Sequence, residues 1–592
     1  MYFKIAKSKG NKYLQLVESY RNEAGKPRQR LLANLCNISK CSDDEIRRLC
    51  KSFLKSMQVE DIAFLEDLHC EESYDYGDVL PIVALWQKLN LDDIIMDSLS
   101  NRVQIDVARA TLIMVANKFV DPQSKLGAWR WFDRSVFKFA EEFEPLKPKD
   151  RGLLHTLYRS LDYLARNKNA MEEALYYHLQ CYGLETELVL YDVTSSYFEG
   201  EQAELAEYGY SRDHRRDRPQ IVVGVVTSRE GIPFAHFVFG GNTVDKSTVQ
   251  AVIHDLKERF RIRYCVFVGD RGLITRTNLD TIKGEEYNYI MGIRRHNSRL
   301  VRQLLPFIEQ HPTDSIIEIR QEQIREEKVR AQFSPQTRFL MGFNEEVQKQ
   351  VRQTREQHLE AFEEFLASLT QEGELDKVSR SRAKVYSYLK QKRLTRYFTV
   401  AIESSSSHYR LKVTKNHQAL EQEKLIDGHF FIQTEVKEQD LDSEGVIQSY
   451  QSLQKVERMF RVLKNNIELR PIYVRKENRI RGHVFICFLT YLMECLLEKL
   501  IAEEDLPKHS LLSYKEELAR IKLVPVKLSN RITGNQDTLY FVTGGHSEIQ
   551  KLYSALKIKN FRHPEKLYFD NKRNGTGNFE NQLSLFPIFS MT

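Results

Sequence analysis

The chain has 592 residues, of which 42% are apolar and 29% are charged, and its formal net charge is +6. This composition excludes an intrinsically disordered protein, and the length predicts roughly three or four domains. No run approaches the roughly 18 apolar residues of a membrane helix, and Met1–Tyr13 has no hydrophobic signal core. We therefore expect a cytoplasmic protein with no membrane association.

The first elements of the chain predict a small β structure followed by a helix. Residues 1 to about 40 alternate apolar and polar side chains on both sides of the turn-like Lys9–Gly10–Asn11. This alternation predicts a β-hairpin. Ser42, followed by acidic residues, predicts the start of a helix. We expect an N-terminal region of this kind over residues 1–76.

The next part of the chain has helical periodicity. Apolar residues over 77–182 repeat at helical spacing, and Pro122 and the pair Pro145/Pro147 interrupt them. We therefore expect a helical domain here and assign DNA binding to it, although periodicity alone is equally typical of a plain helical bundle.

Short β-rich runs then begin, and we assign residues 183–297 to the first part of an α/β catalytic core. The predicted order is β-β-β-α-β-α-β, which is that of a ribonuclease-H-like sheet. In chain order, the predicted elements are Glu187–Val193, Ile221–Thr227, Ile232–Phe239, Asp245–Phe260, Tyr264–Val268, Arg276–Ile282 and Tyr287–Ile293.

A charged segment over residues 298–426 interrupts this core and predicts a mixed α+β insertion domain. The core resumes over 427–503, and residues 504–592 predict a mostly helical C-terminal region that serves in dimerisation and ends in a flexible tail around Lys572–Asn581. The predicted elements are strands Ser315–Ile319, Phe339–Phe343 and Phe430–Glu435, and helices Glu345–Leu369, Val446–Asn465 and the buried Arg481–Glu498.

Two carboxylates follow predicted buried strands. Asp192 ends the run that begins at Leu188, and Asp270 ends the run that begins at Cys265. Acids in these positions lie at the carboxyl edge of an α/β sheet, where active sites form. Carboxylates that share a pocket repel each other unless a cation holds them, and such an all-oxygen site suits Mg²⁺ or Mn²⁺. An acid at a strand end also commonly just begins a turn.

A third carboxylate lies on a helix with other functional side chains. Tyr450, Glu457 and Lys464 are spaced by seven residues, so they share one helical face, drifting about 20° per step. Arg461, four residues after Glu457, lies on the same face. An ordinary solvated helix carries such residues equally often.

In combination, these segments resemble the DDE transposases of bacterial insertion sequences. The similar segments are YDVTSSYFEG around Asp192, VGDRGLIT around Asp270, and SYQSLQKVERMFRVLKNN, which carries the Tyr, Glu and Lys of a Tyr-Arg-Glu-Lys signature. The resemblance extends from about Leu188 to Leu500, and this branch of the family also has an insertion domain before its catalytic Glu.

The resemblance implies a role for each matching residue. Asp192, Asp270 and Glu457 would bind two Mg²⁺ ions, which Mn²⁺ may replace, and would be the catalytic triad. Tyr450 and Lys464 would hold the DNA backbone near the cleaved end. The implied activity is cut-and-paste transposition: cleavage at terminal inverted repeats, then joining to target DNA, by a homodimer on double-stranded DNA.

The chain departs from the family pattern in two ways. Leu453 stands where the signature has Arg, so Arg461 or Arg458 would supply that phosphate contact, and Arg461 has the better helical face. The insertion holds no Trp, which stacks on a flipped base in some relatives, so Tyr397 or Phe398 would have to stack instead.

Basic residues outside the helix are further candidates for DNA contacts. Arg271 directly follows Asp270, and Arg212, Arg215 and Arg216 lie in the cluster RDHRRDR, which fits either a DNA-backbone surface or a solvated loop. Two other clusters are Arg294–Arg295–His296 and the segment from Arg470 to Arg481.

Three alternatives remain open at this stage. The first is a metal-dependent nuclease of the same fold that cuts DNA without joining it. The second is a DNA-binding regulator without catalysis. The third is a zinc-dependent module built on Cys36, Cys41, Cys50 and His69–Cys70, although their spacing forms no Cys-x2-Cys knuckle and the eight cysteines are typical of reduced thiols.

Overall fold

The computed structural model describes most of the chain and divides it into two compact units. The predicted breaks at Pro145/Pro147 and the predicted flexible tail Lys572–Asn581 lie outside the described residues. The described residues are 1–23, 25–57, 68–70, 72–100, 102–140, 143, 152–213, 215–295, 299–311, 316–369, 372–405, 408–504, 506, 510–529, 536–545, 547–564 and 568–569.

The two units contain twenty strands and eighteen helices within the described residues. The strands are β1 (Tyr2–Ser8), β2 (Asn11–Arg21), β3 (Pro27–Asn37), β4 (Leu68–Cys70), β5 (Tyr74–Asp75), β6 (Leu188–Tyr197), β7 (Gln220–Ser228), β8 (Pro233–Gly240), β9 (Val266–Gly269), β10 (Asn288–Gly292), β11 (Ile316–Arg320), β12 (Arg338–Phe343), β13 (Glu372–Gly373), β14 (Phe398–Ser405), β15 (His408–Lys415), β16 (His429–Thr434), β17 (Lys522–Ser529), β18 (Gln536–Val542), β19 (Ile558–Lys559) and β20 (Tyr568–Phe569). The helices are α1 (Asp43–Ser56), α2 (Val79–Lys88), α3 (Leu91–Asp97), α4 (Val107–Val120), α5 (Lys125–Phe132), α6 (Gly152–Gln180), α7 (Asp245–Glu258), α8 (Arg276–Gly284), α9 (Arg299–Gln310), α10 (Glu327–Arg330), α11 (Glu345–Ala367), α12 (Leu375–Gln391), α13 (His417–Ile426), α14 (Ser443–Gln451), α15 (Leu453–Asn465), α16 (Glu477–Glu503), α17 (Leu511–Leu518) and α18 (Ser547–Ala555).

The first unit comprises Met1–Tyr74, Lys522–Gly544 and Asn560–Lys566. The predicted hairpin is confirmed as β1 and β2, whose turn places Lys9 and Gly10 at positive φ, as tight hairpin turns require. Strand β3, which the sequence did not predict, adds a third strand beside β2.

The N-terminal helix of this unit begins as predicted. The Ser42 hydroxyl accepts a hydrogen bond from the Glu45 amide, and the Glu45 carboxylate accepts one from the Ser42 amide. This reciprocal pair is a capping box, and it fixes the start of α1.

The first unit also contains two strands from late in the chain. Strand β17 pairs with β4 on one side and with β18 on the other. The prediction of a mostly helical C-terminal region was therefore wrong, since its described residues form strands as well as α17 and α18. The reason is the alternating, β-branched run Lys522–Ser529, which finds its partner about 450 residues earlier in the sequence.

The second unit is built around an eight-stranded mixed sheet with the order β11-β12-β16-β10-β9-β6-β7-β8. Strands β6, β7 and β8 form an antiparallel meander, and β6, β9 and β10 run parallel. The predicted order β-β-β-α-β-α-β is confirmed, with element bounds shifted by a few residues.

Helices cover both faces of this sheet. On one face, the Tyr191 hydroxyl donates to Thr248 Oγ1 of α7 over 2.8 Å. On the other, the His236 ring on β8 contacts Glu172 of α6 over 2.6 Å and stacks on Phe485 of α16. The result is a three-layered α/β unit.

The predicted buried helix is confirmed as α16, which packs against α4 and α6. Gly482 allows this close approach, because a Cβ there would stand 2.3 Å from the Leu161 carbonyl oxygen. The predicted helical segment before the core is confirmed as α2 to α6. Within the described residues, none of the helices has the length and apolarity to cross a bilayer.

The segment predicted as an insertion domain contributes one part to the central sheet and forms a second apolar core with the other. Strands β11 and β12 join the central sheet, because β12 pairs with β16 over six residues, so this part is not separate from the core. Helices α11 and α12 and the sheet β13-β15-β14 surround a second apolar core that includes Phe362, Val385 and Leu411.

Candidate active site

The sheet register brings the two predicted aspartates together. Strands β6 and β9 pair in parallel, with Leu190 opposite Val268 and Tyr191 opposite Gly269. Asp192 and Asp270 are the next residues in this register, so they lie side by side where β9 ends. The two acids are neighbours as expected, but the prediction that Asp192 ends its strand was wrong, because β6 continues to Tyr197 through its pairing with β7.

Glu457 lies on helix α15, close enough to Asp192 for its charge to act on the pKa of that carboxyl. Helix α15 packs against β6 through a face that includes Val456, Phe460 and Leu463, which are buried. Glu457 lies on the other side of this helix and is exposed, whereas Asp192 is half-buried.

The electrostatics of Asp192 show that the three carboxylates interact. Burial, with smaller contributions from the negative charges of Asp270 and Glu457, raises the pKa of Asp192 to about 7, although the Val193 amide and Arg212 act to lower it. The Val193 amide donates to Asp192 Oδ1 over 2.8 Å. A carboxylate in these surroundings is stabilised in its charged form by a nearby cation.

Tyr450 also contacts the site. Its hydroxyl lies 3.4 Å from Asp270 Oδ1, and burial together with the charge of Asp270 raises the pKa of this tyrosine. Gly292 on β10 makes room for the hydroxyl, because a Cβ there would stand 2.2 Å from it.

The predicted single helix over Val446–Asn465 is interrupted. Helix α14 ends at Gln451 and α15 begins at Leu453. Between them, the Gln448 carbonyl accepts hydrogen bonds from both the amide and the hydroxyl of Ser452, each over 3.0 Å. Tyr450 and Glu457 thus lie on consecutive helices, where Tyr450 contacts Asp270 and the charge of Glu457 acts on Asp192.

Lys464 has a different environment from the one that the resemblance implied. Its Nζ lies 2.8 Å from Asp213 Oδ1, and both side chains are about nine-tenths buried. Arg470 binds the other oxygen of Asp213 over 3.0 Å. Lys464 is therefore held in a buried ion pair and not presented to solvent.

The predicted basic candidates divide into paired and exposed groups. Arg212 pairs with Asp245 over 2.5 Å, and Arg215 pairs with Asp217 through two hydrogen bonds of 2.9 and 3.0 Å. The exposed candidates are Arg216, Arg271 and Arg461. Residues His214 and His296 of the basic clusters lie outside the described residues.

Two substitutes for missing family residues do not fit their predicted roles. Arg458 and Arg461 are both exposed on this helix, and Arg458 pairs with Glu498 over 2.8 Å. Tyr397 is buried, and Phe398 packs against the second apolar core, which α11 and α12 surround. Neither ring is therefore available to stack on a base.

The sequence interpretation missed two partner residues. Asp213 forms an ion pair with Lys464, and Asp245 forms one with Arg212. Nothing in the sequence distinguished these two acids from the other acids near basic residues. Arg295 also lies by the site, since burial and then the charge of Arg271 lower its pKa. The one sequence signal for Arg295 was its place in the basic cluster Arg294–Arg295–His296.

The donor set of the site suits a hard divalent cation, because all three candidates are carboxylates. With the side chains as they stand, no three His, Cys, Asp or Glu of the described residues form a group that could hold a metal ion. The three carboxylates are thus coupled by charge, and Glu457 is exposed on its helix. The cysteine cluster proposed for zinc likewise forms no such group, and Cys36, Cys41, Cys50 and Cys70 are free thiols.

Comparisons with known proteins identify the class of the chain. Residues 183–493, which are more than half of the chain and include all three carboxylates, match the family model described as "Transposase DDE domain". The chain therefore belongs to the DDE transposases of insertion sequences. Its residues 3–61 match the model described as "IS1634 family transposase, N-terminal domain".

Comparisons with individual proteins add little. No curated protein matches the chain. Among solved structures, it is similar to a cryo-EM structure of a piggyBac transposase synaptic complex with hairpin DNA, at 8% identity and a TM-score of 0.35, over 75% of this chain and 80% of that one. At such values, nothing about this fold or function follows from the likeness.

Proposed function

We propose that this transposase cuts DNA at terminal inverted repeats and joins the freed ends to target DNA, with Asp192, Asp270 and Glu457 as its catalytic triad. The observation that carries the proposal is the parallel register of β6 and β9, which sets the two aspartates side by side, with Glu457 coupled to them by charge. The strand order β8-β7-β6-β9-β10, with its meander and parallel pairs, supports a ribonuclease-H-like core.

The three carboxylates would hold two Mg²⁺ ions, or Mn²⁺ in their place. When bound, these cations activate the attacking oxygen and stabilise the leaving oxygen of a phosphodiester. Asp192 and Asp270, fixed by the sheet, provide the rigid side of this site, and Glu457 closes it from α15.

Neighbouring side chains orient the DNA. The Tyr450 hydroxyl lies against Asp270 and is held by the fit against Gly292, so it is placed to contact a phosphate that is bound there. Arg271 and Arg461 are exposed beside the triad and supply positive charge for the backbone. Lys464, by contrast, acts as a positioning residue through its ion pair with Asp213.

The partners follow from the proposed reaction. Both ends of the element must be cut together, so we propose a homodimer on double-stranded DNA, with the N-terminal and α2–α6 regions recognising the terminal repeats. The site of action is the cytoplasm, at the nucleoid.

A strand-transfer assay separates this proposal from a nuclease that cuts without joining. A precut terminal repeat with a free 3′ hydroxyl is incubated with Mg²⁺, protein and a supercoiled plasmid. We expect covalent joining of the end to the plasmid, and its loss in Asp270→Asn. Plasmid nicking with no joined product would favour the nuclease, and DNA binding with neither product would favour the regulator.

A further inference from the structure

The three most exposed tyrosines of the described residues lie on two loops of the same unit. Tyr210 and Tyr208, 78% and 61% exposed, lie on the loop between β6 and β7. Tyr473, 67% exposed, lies on the loop between α15 and α16. Two large exposed rings on one short segment, as at Tyr208 and Tyr210, form an apolar surface of the kind that binds a partner.

The segment that carries Tyr208 and Tyr210 is held in place by its backbone. Glu207 exchanges two main-chain hydrogen bonds with Gln220, of 3.0 and 2.9 Å. The buried Gln220 side chain also donates to the Tyr210 carbonyl over 3.0 Å. Between the rings, Gly209 packs so tightly that a Cβ would stand 2.0 Å from the Gly241 carbonyl oxygen. The rings are therefore exposed on an ordered segment and not on a loose one.

This segment is linked directly to the strand that carries Asp192. The Arg212 amide donates to the Ser195 hydroxyl over 2.9 Å, two residues after Tyr210. Ser195 follows Asp192 by three residues, or about 10 Å along the strand. Tyr210 is at most about 7 Å along the chain from Arg212, so a short single-stranded segment would span the separation from Asp192.

The second loop converges on the first. The Glu204 amide donates to the Arg475 carbonyl over 2.9 Å. The ring of Tyr197 lies near Arg215 and Arg470, at 5.1 and 5.3 Å, which ties the two loops together. Arg216 is exposed beside these contacts and adds positive charge for a nucleic acid backbone.

We propose that Tyr208 and Tyr210 form a stacking site for unpaired DNA bases, which we call the tyrosine platform. Every base has a π-face, so aromatic rings beside exposed arginine bind single-stranded DNA with little sequence preference. A terminal DNA segment that has separated from its partner strand would rest there while its phosphate lies at the triad. This inference rests on the proposed function, since it places the occupant on the path of the cleaved strand.

The test measures binding in EDTA, so that catalysis plays no part. One probe is a blunt duplex, and the other is the same duplex with a short oligo-dT extension that contains one 2-aminopurine. We expect Tyr208→Ala/Tyr210→Ala to weaken binding of the extended duplex by at least about five-fold at fixed salt, with no change for the blunt duplex. The wild type should quench the 2-aminopurine and this variant should not.

Matched variants keep the test decisive. Tyr208→Phe/Tyr210→Phe retains the rings and should bind like the wild type, as should Tyr264→Ala, which removes an exposed ring at the opposite end of β9. Equal affinity of the wild type and the double alanine variant for the extended duplex would overturn the platform alone, as would a phenylalanine variant that behaves like alanine. A wild type that binds neither duplex would overturn the proposed function together with the platform.

Discussion

Asp192 and Lys125 carry opposite charges, and both lie in surroundings that disfavour their charged forms. Burial and two neighbouring carboxylates raise the pKa of Asp192 to about 7, and burial together with Lys118 lowers the pKa of Lys125 to about 7. The first lies in the candidate active site. The second lies between α5 and α16, where its Nζ is 3.3 Å from His483 Nδ1.

The position of Asp192 beside Asp270 could be predicted from the sequence, because both acids follow apolar runs that are typical of buried strands. The burial of Lys464 in an ion pair with Asp213 could not, because the two residues are 251 positions apart and only the folded chain joins them. The same is true of the contact between Tyr450 and Asp270.

Replacing Lys125 should stabilise the protein in a pH-dependent way. Burying the charged form of Lys125 is unfavourable, and this lowers the free energy of unfolding. Lys125→Met removes the unfavourable burial and should raise that free energy by about 2 to 4 kcal/mol at pH 7. The pKa of Lys125 in the folded protein is below its ordinary value of 10.5. The destabilisation caused by Lys125 is therefore complete at and below about pH 7, and it disappears as the pH rises to about 10.5. Thermal denaturation across this range measures it. Lys246→Met, on the exposed surface, should show no such trend, and a gain that persists undiminished at high pH would contradict the assignment.

Breaking the buried ion pair should destabilise the protein. Asp213→Asn leaves Lys464 and Arg470 without their carboxylate, so the free energy of unfolding should fall by about 3 kcal/mol. Denaturant titration measures the change. Asp217→Asn in the same loop removes an exposed carboxylate and should have no measurable effect. Equal stability of both variants would show that Lys464 is not held as described.

At the scale of elements, the strands and helices that carry the triad follow from local pattern. Strands β6 and β9 were predicted within a few residues of their observed bounds, whereas the helix predicted over Val446–Asn465 is divided into α14 and α15. Strand β3, which was missed, pairs with its neighbour β2. Strand β17 and the addition of β12 to the central sheet, by contrast, depend on partners that are distant in sequence. Pairing of that kind is set by the folded sheet and not by the periodicity of the strand itself.

The contact between β10 and α14 gives a prediction at this scale. In Gly292→Ala, the new methyl group would overlap the Tyr450 hydroxyl and move it away from Asp270. We expect at least about a ten-fold loss of DNA cleavage with the fold retained, because small displacements at a reacting centre cost that much or more. A gel-based cleavage assay measures the rate. Gly284→Ala, where a Cβ meets no other atom within 4 Å, is the matched control. Unchanged cleavage by Gly292→Ala would show that the position of Tyr450 does not matter.

At the scale of the whole molecule, the chain consists of two units, and the second carries the complete candidate site. The matched DDE model lies wholly within the second unit, and the matched N-terminal model lies within the first. The α/β class of the core and the family could therefore be predicted from the sequence, because the strands and their acids are local signals. The composition of the first unit could not, since it combines Met1–Tyr74 with two segments from late in the chain.

The most direct test of the account is Mg²⁺-dependent cleavage of a DNA fragment that bears the element's own terminal repeat, by the wild type and by Glu457→Gln. The variant keeps the shape of the side chain and removes the charge, and Glu444→Gln, an exposed glutamate on α14, is the matched control. We predict that the wild type and the control nick the repeat boundary, while Glu457→Gln binds the fragment and does not cut it. Equal cutting by Glu457→Gln and the wild type would contradict the assignment of the triad.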